Sequence, residues 1–355
     1  MSSGPSELQP APSPQTDDPC TERDAAAEGE ACPIVGIGAS AGGLEAFTEL
    51  LKHLPLNTGM GFVLVQHLDP HHESALTQLL TRTTSLPVRE ITDNLRVESN
   101  HVYVIPPNTN LAIAKGVLKI EPRQQTRTPL RSIDFFFESL AEDQRERAIG
   151  VILSGTATDG TLGLESIKAE GGITFAQDDS ARYDSMPRSA VAAGCVDFIL
   201  SPQDIAKELA RIAKHPYVAG QPAKPPIAGE DDWATEHEDD ATGHETARSS
   251  ASQASVEGEA AGGKAEDNSY EKILVLLRNH CGVDFSLYKP TTIQRRAARR
   301  VVLNRQDTLE DYADFLRGNA KELDSLYSDV LISVTSFFRN PEAFDVLKRN
   351  VFKNF

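Results

Sequence analysis

The chain has 355 residues, 39% hydrophobic and 25% charged, which suits a soluble globular protein of two or three domains. Its formal charge of −17 argues against a nucleic-acid binder as a whole. The acidity is local: residues 1–32 hold one basic and seven acidic residues, and residues 220–268 hold three and twelve.

In chain order, residues 1–32 are rich in Ser, Pro, Ala and acidic residues without apolar periodicity, and read as a disordered acidic tail. The N-terminus lacks the basic start and apolar stretch of a secretory signal. No apolar run approaches the roughly 18 residues of a membrane span. Secretion and membrane insertion are not expected. Cys20, Cys32, Cys195 and Cys281 show neither CxxC nor any short spacing, so no disulfide framework and no metal site is expected. A reduced, cytoplasmic setting fits these cysteines.

Residues 33–219 alternate two patterns. IVGIGAS, GMGFVLVQH, HVYVIPP, AIGVILSG, GITFAQ and VDFIL read as strands, several apolar on both faces as buried parallel strands are. GGLEAFTELLKHL, ESALTQLLTR, SIDFFFESLAEDQ, TLGLESIKAE and PQDIAKELARIAKH carry apolar residues at three-to-four spacing and read as helices. The alternation predicts an α/β three-layer sandwich with a mainly parallel sheet. LAIAKGVLKI, turning at Lys115-Gly116, reads as an inserted β-hairpin. Residues 220–268 read as a disordered acidic linker, and residues 269–355 as a small all-α domain.

The first strand runs through Gly38-Ala39-Ser40-Ala41-Gly42-Gly43 into a helix. G-x-S-x-G there places a serine hydroxyl on a tight strand-to-helix turn, and the helix start offers N–H groups to a developing oxyanion. The same stretch also fits a dinucleotide fingerprint, Gly36-x-Gly38-x-x-Ala41. That reading wants an acidic residue at the end of the second strand. The second strand ends instead in Val65-Gln66-His67, with Asp69 beyond it. An imidazole at a strand end suits a catalytic base better than a ribose ligand, so the residues favour a hydrolase. A further strand, Ala148–Leu153, leads into Ser154-Gly155-Thr156-Ala157-Thr158-Asp159-Gly160 and another helix. Asp159 reads either as the N-cap of that helix or as an orienting carboxylate. Ser40, His67 and Asp159 together are the set that nucleophilic acyl transfer needs.

IVGIGASAGGLEAF, FVLVQHLDP, VYVIPPN, RSIDFFFESLA, GVILSGTATDGTLGLESIKAEGG and AQDDSARYDSMPRSAV together resemble the catalytic domain of the chemotaxis protein-glutamate methylesterases of the CheB type. The resemblance covers essentially all of 33–215. It implies Ser40 as nucleophile, His67 as base and Asp159 as orienter, with Ala41 and Thr156 supporting the oxyanion. It also implies hydrolysis of γ-glutamyl methyl esters on a methylated chemoreceptor or receptor-like protein, and deamidation of glutamines. No cofactor and no metal is implied for the esterase. The third motif departs from the family's TGMG-x-DG, with Thr156 in place of methionine and Ala157 in place of glycine. The competing reading is therefore a catalytically weakened scaffold or sensor. Residues 1–32 are too short for the receiver domain common in the family, so phosphorylation control within this chain is not expected; a separate receiver protein is an alternative partner.

Residues 269–355 resemble the N-terminal helical domain of the CheR-type receptor methyltransferases, SVTSFFRNPEAF most specifically. That resemblance implies Ser333, Thr335 and Arg339 at the edge of an S-adenosylmethionine site whose α/β domain is missing. The chain is accordingly expected to be a fragment of a methylesterase–methyltransferase fusion without methyltransferase activity. Arg295, Arg296, Arg299 and Arg300 form one basic helical stripe, with Lys289 upstream. The stripe is expected to dock an acidic receptor helix and, across a linker spanning roughly 35–42 Å, to tether the esterase to it.

Overall fold

A computed structural model describes residues 32–66, 75–122, 131–219 and 260–331. The first half runs β1 (Ile34–Ala39), α1 (Gly43–His53), β2 (Gly61–Gln66), α2 (Ala75–Thr81), β3 (Val88–Glu90), β4 (Leu95–Arg96) and β5 (Val102–Val104). A hairpin of β6 (Thr109–Ala114) and β7 (Val117–Pro122) follows, then α3 (Ser132–Gln144), β8 (Ala148–Ile152) and α4 (Thr161–Ala169). β9 (Ile173–Gln177), α5 (Ser185–Ala192), β10 (Phe198–Leu200), α6 (Pro202–Ile212) and α7 (Pro216–Ala219) complete this part. Four helices come last: α8 (Ala260–Cys281), α9 (Pro290–Leu303), α10 (Leu309–Leu316) and α11 (Ala320–Leu331).

Seven strands form a parallel sheet in the order β10-β9-β8-β1-β2-β5-β3, as the alternating pattern predicts. β1 lies between β8 and β2, at the centre of the sheet. Its alternate residues face opposite layers. Val35, Ile37 and Ala39 join the core under α1, α2 and α6. Gly36 and Gly38 face α3, where a Cβ would sit 2.8 Å from Phe137 and 2.5 Å from Ile133 respectively. These glycines therefore admit a helix close to the strand. The dinucleotide fingerprint has a packing cause. The hairpin turns at Lys115 and Gly116, both with positive φ (54° and 70°), as a two-residue turn of matching twist requires. It also gains β4, making a separate three-stranded antiparallel sheet.

Two boundaries differ from expectation. Cys32 belongs to the folded part rather than the tail: it packs half-buried beside the core under α3, and burial raises its thiol pKa. Residues 260–268, expected in the linker, already lie in α8. The other tail and linker residues, 1–31 and 220–259, lie outside the described residues.

The helices α8 to α11 close over their own core, including Ile273, Leu277, Phe285, Ile293, Tyr312 and Leu326. Here the expected docking stripe needs correction. Arg299 is fully buried; it pairs with Asp197 ahead of β10 and with Asp329 of α11, and donates from Nε to the Gly172 carbonyl at 3.0 Å. Arg296, also buried, donates to the carbonyls of Lys168 (3.2 Å) and Ala169 (2.6 Å) at the end of α4. Those carbonyls belong to a helix C-terminus, whose acceptors lack intrahelical partners and carry partial negative charge. Arg300 is half-buried against Glu322. Lys289 and Arg295 remain exposed. The i, i+1, i+4, i+5 spacing marks a face of α9 without saying what the face meets. It meets the α/β domain, so it is neither an open receptor surface nor the working end of a free tether.

Val302 of α9 extends the core beneath α6, its carbonyl accepts from Arg211 at 2.8 Å, and Arg305 pairs with Glu208 at 3.3 Å. Gly172 and Asp197 immediately precede β9 and β10, so this contact lies at the N-terminal edge of the parallel sheet. No helix among the described residues is long and apolar enough to cross a membrane.

Candidate active site

The opposite, C-terminal edge collects the residues singled out as chemical. β1 ends at Ala39, in register with Gln66 of β2, and Gly38 is in register with Ile152 of β8. Ser40 is the next residue of β1, and His67 is next after Gln66 in the chain. Asp159 lies on the loop after β8. β1 and β8 thus deliver Ser40 and the Asp159 loop to one edge, where open α/β sheets place ligands. His67 itself lies outside the described residues, as do Ser333, Thr335 and Arg339.

Ser40 is half-buried and its backbone is tied from both sides. Its N–H donates to the Ser154 carbonyl at 3.0 Å; its own carbonyl accepts from Gly43 N–H at 2.9 Å and from Gln66 Nε2 at 3.3 Å. Gly42, at the head of α1, has φ 75°, and a Cβ there would fall 2.7 Å from Ser154 Oγ. Glycine is required twice over at that position, by conformation and by contact. A cleft opens over the turn, walled by residues 40–45, Gln66, Arg182 and Tyr183. Arg182 lies over the Tyr183 ring at 5.8 Å and pairs with Glu45 at 3.0 Å. Both charges are well exposed, so that pair adds little stability.

Asp159 is buried, and the N-cap alternative takes an unexpected form. Gly160 occupies the cap of α4 without a side-chain bond. The two oxygens of Asp159 instead accept the N–H groups of Ile133 and Asp134, each at 3.0 Å, in the first turn of α3. Asp134 returns the arrangement, accepting Gly163 N–H of α4 at 2.8 Å. Burial raises the Asp134 carboxyl above its ordinary pKa. Each helix start is thus capped by a carboxylate from the other helix or its approach, and Asp159 is held rigidly beside the β8 end. Thr156 is exposed and is not among the cleft-wall residues. Ala157 has φ 70°, so the family's glycine at that point answers a left-handed backbone.

Sequence reasoning passed over three neighbours of the serine: Gln66, Ser154 and Tyr183. Ser154 is 1% exposed; its N–H donates to Gln177 Oε1 at 2.8 Å, and its hydroxyl faces the turn after β1. Its only signal was a place at the head of the SGT…DG motif, since its partners are more than a hundred residues upstream or about thirty downstream. Among the described residues no group of His, Cys, Asp and Glu could hold a metal ion.

Residues 35–209 match the family described as CheB methylesterase, and residues 268–331 match the CheR methyltransferase all-alpha domain. A 104.1 kDa uncharacterized protein of Rhodobacter capsulatus is 34% identical over 277 residues, 78% of this chain and 27% of that one. A putative protein-glutamate methylesterase/protein-glutamine glutaminase of Leptospira interrogans is 35% identical over 178 residues, 50% of this chain and 92% of the relative. A protein-glutamate methylesterase/protein-glutamine glutaminase of Burkholderia orbicola is 41% identical over 185 residues, 51% of this chain and 54% of that one. The chain therefore spans about a quarter of the first of these and about half of the third. The crystal structure of the Thermotoga maritima CheB methylesterase catalytic domain is 30% identical, with a TM-score of 0.48, over 51% of this chain and 98% of that one.

Proposed function

The chain belongs to the CheB methylesterase family, and from that membership we propose that residues 33–219 hydrolyse γ-glutamyl methyl esters on a methylated chemoreceptor-like protein. The observation that carries the reading is Ser40 directly after the C-terminal end of β1 on a fixed strand-to-helix turn, beside two N–H groups, of Ala41 and Gly42, with no acceptor among the described residues. Ser40 Oγ attacks the ester carbonyl while His67 takes its proton. The carbonyl oxygen, now an anion, is held by backbone N–H groups at the start of α1. Collapse expels the methoxy group, which leaves as methanol with the proton from His67. Water then attacks the acyl-serine while His67 takes a proton from it, and His67 passes that proton to Ser40 Oγ as the acyl–oxygen bond breaks and the carboxylate is freed. Asp159 orients His67, with α3 fixing the carboxylate that does so. The same steps on a glutamine side chain would release ammonia.

Methanol release from a methylated receptor or a methylated glutamyl peptide tests this reading. The expected outcome is turnover by the wild type and a loss of at least about 10³-fold in Ser40→Ala. Undiminished turnover in Ser40→Ala would refute the mechanism. A folded wild type that releases no methanol would favour the scaffold reading.

A further inference from the structure

We propose that Ser154 is a positioning residue for this hydrolysis, aiming the Gly42 N–H at the ester oxygen; the inference rests on the esterase reading above. The observations begin with one peptide group. The carbonyl of Ala41 and the N–H of Gly42 belong to the same planar trans unit and point in opposite directions. Ser154 Oγ donates to the Ala41 carbonyl at 2.9 Å and so draws it toward the loop after β8. The Gly42 N–H is thereby turned the other way. It has no acceptor among the described residues, and Ala41 and Gly42 both line the cleft that holds Ser40.

The hydroxyl is itself held against rotation. Ser154 Oγ accepts from Tyr183 N–H at 3.0 Å, and its one proton has two acceptors in reach, the Ala41 carbonyl at 2.9 Å and the Tyr183 carbonyl at 3.4 Å, of which the shorter contact is to Ala41. The Ser154 N–H is engaged by Gln177, and the Ser154 carbonyl takes the Ser40 N–H. One residue after β8 therefore connects three pieces of the site: its hydroxyl joins the nucleophile turn and the 182–183 wall of the cleft, and its backbone N–H joins β9. Gly42 completes the fit, since the gap between its Cα and Ser154 Oγ has no room for a methyl group.

A dipole set before the reaction costs no reorganisation when charge develops, and loss of one oxyanion donor lowers kcat by roughly 10²–10³-fold. Loss of the residue that aims a donor should cost less, because the peptide still visits the productive orientation.

The test uses the full chain, a methylated glutamyl peptide, and a peptide boronic acid whose adduct on Ser40 mimics the tetrahedral anion. In Ser154→Ala, kcat is expected to fall about 10- to 100-fold while KM changes less than about threefold. Boronate affinity should fall in step with kcat. Ser154→Thr, which keeps the hydroxyl, should recover kcat to within about fivefold of wild type. Should Ser154→Ala fail to fold, Ser154→Cys, a weaker donor of similar size, decides, with an expected loss of about three- to tenfold. Wild-type kcat and boronate affinity in a folded Ala or Cys variant would overturn the inference while leaving the esterase reading standing. So would equal losses in the Ala and Thr variants, since packing rather than the hydroxyl would then matter. A wild type without methanol release would remove the esterase reading and this inference with it.

Discussion

At the C-terminal edge of the parallel sheet, Ala41 and Gly42 keep two backbone N–H groups without an acceptor among the described residues, next to Ser40. At the N-terminal edge, the carbonyls of Lys168, Ala169 and Gly172 are all taken by arginines of α9. Both edges consist of chain ends leaving strands and helices, and both begin with polar groups that the regular elements cannot satisfy. One edge leaves them where the proposed ester substrate would bind. The other is closed by a neighbouring domain, with Arg299 sealed between Asp197 and Asp329. Under the proposed function, chemistry and domain contact fall at opposite ends of the same strands.

The largest effect should come from the closed edge. Arg299→Ala leaves the buried carboxylates of Asp197 and Asp329 with only their longer ion pairs, to Lys168 (3.7 Å) and Arg300 (3.6 Å), and loss of one member of such a set typically costs about 3–5 kcal/mol. Denaturant unfolding should show that loss, while the folded fraction keeps kcat within about twofold. A parallel fall of kcat in fully folded protein would show that the two edges are coupled. Next, Gly36→Ala would press a methyl group into Phe136, Phe137 and Leu140, and should destabilise by about 1–3 kcal/mol. Titration of the wild type with NAD should show no saturable binding. Micromolar binding would return Gly36 and Gly38 to the dinucleotide reading.

A smaller effect of opposite sign is expected at the open edge. Ala157→Gly relieves a left-handed alanine and should stabilise by about 0.5–1 kcal/mol, raising Tm by roughly 1–4 °C. Turnover should change less than about twofold, because residue 157 is exposed beside the cleft rather than part of its wall. The smallest effect concerns His215, near the closed edge. Its Nδ1 accepts Tyr217 N–H at 3.2 Å, and burial, with Arg211 adding to it and Asp307 opposing it, lowers its pKa below the usual 6.5. The unfolded chain then takes up a proton near pH 6.5 that the folded chain still refuses. Stability from this group is complete above about pH 6.5 and declines as pH falls toward the lower folded pKa. His215→Gln should flatten that part of the stability–pH curve. An unchanged slope would assign it to other groups.

The six principal strands and five helices of residues 33–219 were legible because their periodicities differ and the strands run apolar through the core. β3 and β4 were not: Val88-Arg89-Glu90 carries a single apolar residue on an edge strand, and β4 has two residues. α5 hid behind Pro187, which a first turn tolerates. The strand-to-helix turn at Ser40 announced itself through glycine spacing. Ser154 did not, because its hydroxyl acquires meaning only when β8 is placed beside β1. α9 shows the same limit from the other side. Its arginines were visible as a stripe, yet Asp197 and the α4 carbonyls that bury them lie roughly a hundred residues and more away in the chain.

The central claim is that Ser40 forms the covalent intermediate at the open edge. Rapid acid quench of the full chain turning over a methylated glutamyl peptide, followed by peptide mass mapping, tests it directly. The expected result is a glutamyl adduct of the peptide on the fragment bearing Ser40, absent from Ser40→Ala and accompanied by a burst of methanol. Steady methanol release with no adduct on that fragment, or with the adduct on another residue, would contradict it.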